Sequence, residues 1–126
     1  MNCALESALS HFRQKAGELL VGERTISSVA QEHGTPLYIY DRHCIEWRHM
    51  TLRDLLPKNL EIRYAVKANP NVEIVRIMGQ LYDGLDIASK GEMERGIEAG
   101  ISTGRMNSGF WTPAFSGEMK CRLPST

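Results

Sequence analysis

From Asp41 to Ser108 the sequence alternates between short runs of β-branched, aromatic and small apolar residues and longer runs whose apolar residues recur every three or four positions. Only a few residues separate the runs. Strands joined by crossover helices read this way, and the pattern predicts an α/β domain with a parallel sheet. Asp41 is placed to cap a helix over 42–56, whose Ile45, His49, Leu52 and Leu56 share one stripe, and Pro57 stops it. Leu60 to Lys67 predicts a strand. Asn69-Pro70 then supplies a cap and a first-turn proline for a helix carrying Ile74, Ile77, Met78 and Leu81. Gly84 to Ala88 predicts a second strand, interrupted by Asp86. Ser89-Lys90-Gly91-Glu92 has the form of a capping box, opening a helix with Met93 and Ile97 inward and Gly100 at its end. A weaker strand is predicted over Gly104 to Ser108.

The flanks are less periodic. Leu5, Leu9, Phe12, Ala16 and Leu19 recur at steps of four, three, four and three, which predicts an amphipathic helix over residues 3 to 20. A short helix follows around Ser27 to Glu32, capped by Thr25 or Ser27 and closed by Gly34, and Leu37-Tyr38-Ile39-Tyr40 predicts a strand. Residues 109–126 show neither period and are expected to be loop or disordered.

With 126 residues, 15 Lys+Arg against 15 Asp+Glu and no basic run, the chain has no field to concentrate polyanions. Nucleic acid and anionic membranes are therefore poor partners, and a small molecule is a better one. The longest stretch without a charged residue, Met106 to Gly117, is too short and too broken by Gly109, Pro113 and Gly117 to span a bilayer. The first twenty residues carry charges throughout, unlike a secretory signal, and Cys3, Cys44 and Cys121 form no C-x-x-C pair, so a reducing cytoplasm is expected. His43, Cys44 and His49 read as helix-surface or packed residues rather than metal ligands, and no metal site is expected. The sequence has no G-x-G-x-x-G, P-loop, G-x-S-x-G or H-E-x-x-H motif.

Chemistry concentrates at two strand ends. In Glu61 to Lys67, Ile62, Tyr64 and Val66 share one face and Arg63, Ala65 and Lys67 the other, which puts Lys67 at the carboxyl end of its strand. The carboxyl ends of parallel strands form the functional rim of α/β proteins. Asp86, set between Leu85 and Ile87, faces the same interior if the two strands are neighbours, so a buried acid beside a buried lysine is expected there. The plainer alternatives are a lysine snorkelling at a strand end, a structural ion pair at Asp86, and, for Glu92, the capping box alone.

Tyr64-Ala65-Val66-Lys67-Ala68-Asn69-Pro70-Asn71, followed by Gly84-Leu85-Asp86-Ile87-Ala88-Ser89 and Glu92, resembles the amino-terminal part of the fold-type III pyridoxal-phosphate decarboxylases, the ornithine, diaminopimelate and arginine decarboxylase family. Gly34 to Asp41 is similar to that family's entry segment, and the resemblance runs from about Thr25 to Ser108. It implies the opening strands and helices of an alanine-racemase-like (β/α)8 barrel over 42–108, preceded by a segment over 1–41 that packs with a β domain. Residues 109–126 depart from the family's pattern. A complete barrel of this kind takes about 250 residues, so a truncated one is expected here.

The same resemblance implies that Lys67 holds pyridoxal 5'-phosphate as a Schiff base, with Asp86 near the ring, Ala65 leaving room for it and Glu92 near the amine. Burial disfavours the charged form of a lysine, which suits a residue that must attack an aldehyde. The implied activity is decarboxylation of a basic or diamino amino acid by a homodimeric parent, the 126-residue chain being inactive alone. Related alanine racemases carry a stretch similar to the lysine octapeptide, and an amino-acid racemase or cofactor-carrying barrel protein is the nearest alternative. A small, doubly wound α/β binding domain without catalysis is the alternative from a different class.

Overall fold

The computed structural model describes residues 9–108 and divides into two compact units, Met1–Leu56 and Pro57–Thr126. The division falls one helix later than the boundary after residue 41 suggested by the sequence.

In the first unit the predicted long helix does not extend through residues 14 to 21. Strands β1 (Gln14–Lys15), β2 (Glu18–Val21) and β3 (Arg24–Thr25) instead form an antiparallel meander in the order β1-β2-β3. Two tight turns decide it. Ala16 and Gly17 both have positive φ, 53° and 81°, the pair of values a two-residue type I′ hairpin turn requires. Gly22, at φ 61°, opens the second turn. A helix through this segment would have carried glycine in its interior, at a cost of about 1 kcal/mol relative to alanine. Of the middle strand it is Leu20, outside the helical spacing, that is buried, and Leu19, which belongs to that spacing, is half-buried.

Helix α1 (Ile26–His33) starts where Thr25 accepts from the Ser28 amide and ends at Gly34, φ 80°, as the sequence predicts. Leu37 to Tyr40 is not a strand. Its side chains still alternate, Leu37 and Ile39 half-buried and Tyr38 and Tyr40 exposed, but the segment pairs with none of the described strands. Helix α2 (Arg42–Leu55) follows, with Asp41 Oδ1 accepting from the His43 amide at 2.8 Å. The Cys44 thiol donates to the His11 carbonyl at 3.4 Å, and the His11 and Trp47 rings lie 5.2 Å apart.

The second unit has the predicted alternation. Strands β4 (Arg63–Ala65), β5 (Gly84–Asp86) and β6 (Met106–Asn107) form a parallel sheet in sequence order, with helix α3 (Val72–Leu81) crossing from β4 to β5 and α4 (Lys90–Glu98) from β5 to β6. Both connections are βα units. The elements are shorter than the sequence suggests. The strand expected to run to Lys67 stops at Ala65, and Val66–Ala68 forms a single 3₁₀ turn; Thr103–Arg105 forms another where the last strand was expected to begin. The cap of α3 is Asn71 rather than Asn69: its Oδ1 accepts from the amides of Glu73 (3.0 Å) and Ile74 (3.4 Å), and Pro70 lies before the helix.

The core lies between the sheet and its two helices. Leu85, Val66 and Val75 are fully buried and pack with Ile87, Met93, Ala99 and Ile101. Full burial of side chains this size contributes about 2 kcal/mol each. Ile97, expected inward, is 41% exposed, and Gly96 takes the inward position with Met93. A Cβ on Gly96 would sit 2.6 Å from Met106 Cε and 3.2 Å from Leu85 Cδ1, so the glycine lets α4 lie close on the sheet.

Candidate functional site

The parallel register fixes which side chains stand together. Ala65 is opposite Asp86, and Asp86 opposite Asn107, so one residue from each strand forms a row across the sheet. The adjacent row, Tyr64-Leu85-Met106, belongs to the other face by the alternation of a strand, and this is the face that α3 and α4 cover. Among the described residues no element covers the row Ala65-Asp86-Asn107. Ala65 is half-buried, and Asp86 and Asn107 are exposed.

One end of this open face is closed by arginine. Arg63 lies over Gly84, where a Cβ would come within 2.6 Å of the guanidinium Nη1 and 2.5 Å of the Arg105 carbonyl. Arg63 donates to Glu61 at 2.7 Å, while Arg105 donates to the carbonyls of Tyr82 at 2.6 Å and Asp83 at 3.4 Å. These bonds tie together the amino-terminal ends of the strands. The small and acidic residues of the row lie toward the carboxyl ends, where side chains available for chemistry collect in α/β folds.

Lys67 follows Ala65 by two residues, in the 3₁₀ turn beyond the end of β4. Val66 turns into the core, and Lys67 is exposed. The expected burial of Lys67 and Asp86 is therefore corrected: both are open to water. The physical reason is the one-sided sheet, since α3 and α4 cover the Leu85 face and nothing among the described residues covers the other. Ala65 and Asp86 share the open face of the sheet rather than an interior, and Lys67 lies in the turn beyond the end of β4. The same finding departs from a doubly wound domain, whose sheet has both faces covered.

Glu92 acts locally. Its Oε2 accepts from the Ala88 amide at 2.8 Å, while Ser89 Oγ accepts from the Glu92 amide at 3.2 Å. This pair is the predicted capping arrangement, with the amide that donates to Glu92 shifted by one residue, from Ser89 to Ala88. It fixes the turn that leaves β5 immediately after Asp86.

A cavity of about 520 Å³ opens at the β6 edge, lined by Ile87, Met93, Met106 and Asn107 among others. None of Ala65, Lys67, Asp86 or Glu92 lines it. Among the described residues no three His, Cys, Asp or Glu side chains gather closely enough to hold a metal ion, and no helix is long and apolar enough to cross a membrane. Burial pushes the Cys44 thiol pKa up, which disfavours the thiolate. Sequence reading missed Asn107, because the short β6 gave little periodic signal. It also read Tyr64 as bulk alone, whereas its hydroxyl donates to the Asn69 carbonyl at 3.1 Å.

Residues 42–108 match the pyridoxal-dependent decarboxylase family, in its pyridoxal binding domain. The chain is 36% identical over 112 residues to the diaminopimelate decarboxylase of Pseudomonas fluorescens, an alignment covering 88% of this chain and 25% of that protein. It is 38% identical over 96 residues to the diaminopimelate decarboxylase of Aquifex aeolicus (strain VF5), covering 76% and 23%. Among solved structures, the crystal structure of AQ1208 from Aquifex aeolicus matches with a TM-score of 0.72 and 36% identity, over 82% of this chain and 26% of that one. A diaminopimelate decarboxylase structure from M. jannaschi matches with a TM-score of 0.63 at 22% identity, over 81% and 26%, a likeness of fold. The chain thus spans about a quarter of the length of the curated relatives it matches. With the matched region covering more than half of its residues, the chain belongs to the pyridoxal-dependent decarboxylase family, through that family's pyridoxal binding domain.

Proposed function

We propose that this chain contributes the cofactor-holding lysine of a pyridoxal-phosphate-dependent decarboxylase acting on a diamino acid. The observation that carries the reading is the register of β4 and β5, which sets Ala65 beside Asp86 on the uncovered face, with Lys67 two residues further along. The residues present fit the group. A planar ring needs a flat place with little side chain in the way, which Ala65 leaves. An aldehyde needs an amine, which Lys67 offers. A cationic ring or amine needs a carboxylate, which Asp86 offers as an acceptor-only group when ionised.

When bound, pyridoxal phosphate supplies an aldehyde for an amine to condense with and a ring that takes up the electron pair released as carbon dioxide departs. Lys67 presents Nζ from a turn anchored at both ends. Asp86 orients positive charge along the open face. Glu92 contributes by holding the Ala88 amide and so the turn behind Asp86.

The similarity to two diaminopimelate decarboxylases supports a diamino acid as substrate. The exposed row is the part of the site to be closed from water in the working enzyme, because an open face cannot exclude water from the reacting groups. We assign that closure to further strands completing a (β/α)8 barrel in a cytoplasmic homodimer, and expect the 126-residue chain alone to have little or no decarboxylase activity.

The test is borohydride reduction after adding pyridoxal phosphate, followed by peptide mapping. The cofactor mass is expected on the peptide containing Lys67; label on other lysines alone, or no label, overturns the assignment. Release of carbon dioxide from a carboxyl-labelled diamino acid by a chain spanning the full length of the curated relatives then separates a decarboxylase from a racemase.

A further inference from the structure

The turn that carries Lys67 is a single 3₁₀ turn, exposed at Lys67 and Ala68, a poor platform for an amine that must meet a partner in a defined place. It closes with a bond from the Asn69 amide to the Val66 carbonyl, 3.1 Å. A single turn of this kind leaves its last carbonyls without partners inside the turn. One of the carbonyls at its end is taken by a side chain from the preceding strand: the Tyr64 hydroxyl donates to Asn69 O at 3.1 Å.

We propose that the Tyr64 hydroxyl is a positioning group for Lys67, clamping the Val66–Ala68 turn to β4 so that the amine is presented from a fixed point. This rests on the assignment of Lys67 as the cofactor-holding amine.

The geometry brackets the lysine. Tyr64 is the middle residue of β4, held in register opposite Leu85, and its ring packs against the core. Its ring also lies 6.4 Å from that of Tyr82 at the end of α3, tilted by 41°. The donor end of the clamp is thus fixed by the sheet and by packing. The acceptor end is fixed independently: Asn69 Oδ1 accepts from the Asn71 amide at 3.0 Å, and Asn71 caps α3. Lys67 lies between the two anchors, on a stretch too short to reorient while both hold. A phenylalanine at position 64 would keep the packing and lose the clamp. The inward face of the strand therefore serves the outward lysine through one hydroxyl that reaches around the strand end.

Tyr64→Phe tests this in the 126-residue chain by two readouts. The first is amide hydrogen exchange. The variant is expected to speed exchange of the Asn69 amide at least tenfold while leaving those of Val75 and Leu85 unchanged. The second is selectivity of labelling, with Lys58 and Lys90 as internal references. Pyridoxal phosphate with borohydride is expected to lose at least threefold of its preference for Lys67, whereas reductive methylation by formaldehyde, which senses the access and basicity of the amine but needs no fit of a ring, keeps its wild-type pattern.

Unchanged exchange at Asn69 overturns the proposal, and so does exchange accelerated equally at Val75 and Leu85, which marks general loosening. If the wild-type chain shows no preference of pyridoxal phosphate for Lys67, the functional assignment fails instead, and the exchange measurement still decides whether the hydroxyl holds the turn.

Discussion

Ala65 and Asp86 face each other across a parallel pair of strands, on the side of the sheet that neither α3 nor α4 covers. Adjacent strands stand about 4.8 Å apart, so a side chain grown from Ala65 would lie directly against the Asp86 carboxylate. Ala65→Leu is expected to abolish labelling of Lys67 by pyridoxal phosphate and to change stability by no more than about 0.5 kcal/mol, because the face is open. Labelling with borohydride and a denaturant melt check the two halves. Retained labelling would show that the cofactor lies elsewhere.

Gly84 and Gly96 differ in what surrounds them. A methyl group on Gly84 meets the Arg105 carbonyl, a backbone atom that can move only if β6 moves. Gly84→Ala is expected to cost about 1–3 kcal/mol. At Gly96 the nearest atom is the flexible end of Met106, and the cost is expected to be smaller. Nothing lies within 4 Å of a Cβ on Gly91, so Gly91→Ala in α4 serves as a control and is expected to stabilise by about 0.4–1 kcal/mol. Denaturant titration of the three variants gives the order directly.

The capping pair at the start of α4 is separable from the chemistry. Ser89→Ala removes the acceptor for the Glu92 amide and is expected to cost about 1 kcal/mol. Glu92→Gln keeps an oxygen for the Ala88 amide and is expected to cost less than Glu92→Ala. If Glu92→Gln instead lowers Lys67 labelling without altering the melt, the carboxylate charge itself serves the cofactor.

Acid acts on the other unit. Glu18 Oε1 accepts from the Ser27 amide at 2.7 Å, and bonds to Ser27 hold the Glu18 carboxyl below its ordinary range. A lowered folded-state value means stabilisation that is present above the unfolded carboxyl's titration and is lost as pH falls through the folded one. The Ser27 amide resonance is expected to shift in that acid window, and Glu18→Gln is expected to remove the shift. A shift that persists in the variant would assign it to another group.

What the sequence made legible was set by length and by local chemistry. The helices of the second unit were readable because each carries apolar residues at a helical period; Ser89 is legible as the cap of α4, whereas Asn69-Pro70 points two residues too early for α3, which Asn71 caps. The strands were readable as apolar runs but not in extent. Only two or three residues of each pair in the sheet, and nothing in the run from Arg63 to Lys67 marks where Ala65 gives way to a 3₁₀ turn. The β1-β2-β3 meander was misread because Leu9, Phe12, Ala16 and Leu19 happen to satisfy a helical spacing, while the positive φ at Ala16, unusual for a residue with a side chain, left no mark in the composition. Lys67, Ala65 and Asp86 could be picked from their motifs. Their exposure could not, because burial depends on what covers the second face, and that information does not reside in the strands themselves.

The one-sided covering of the β4-β5-β6 sheet divides mutational tolerance between alternate positions of the same strand. Leu85 lies where a smaller residue leaves a void, at a cost of about 2–5 kcal/mol for alanine, whereas its immediate neighbour Asp86 contributes no packing that a substitution would forfeit. Substitutions can therefore accumulate at the open positions with little cost to packing, while the alternate, covered positions preserve the fold.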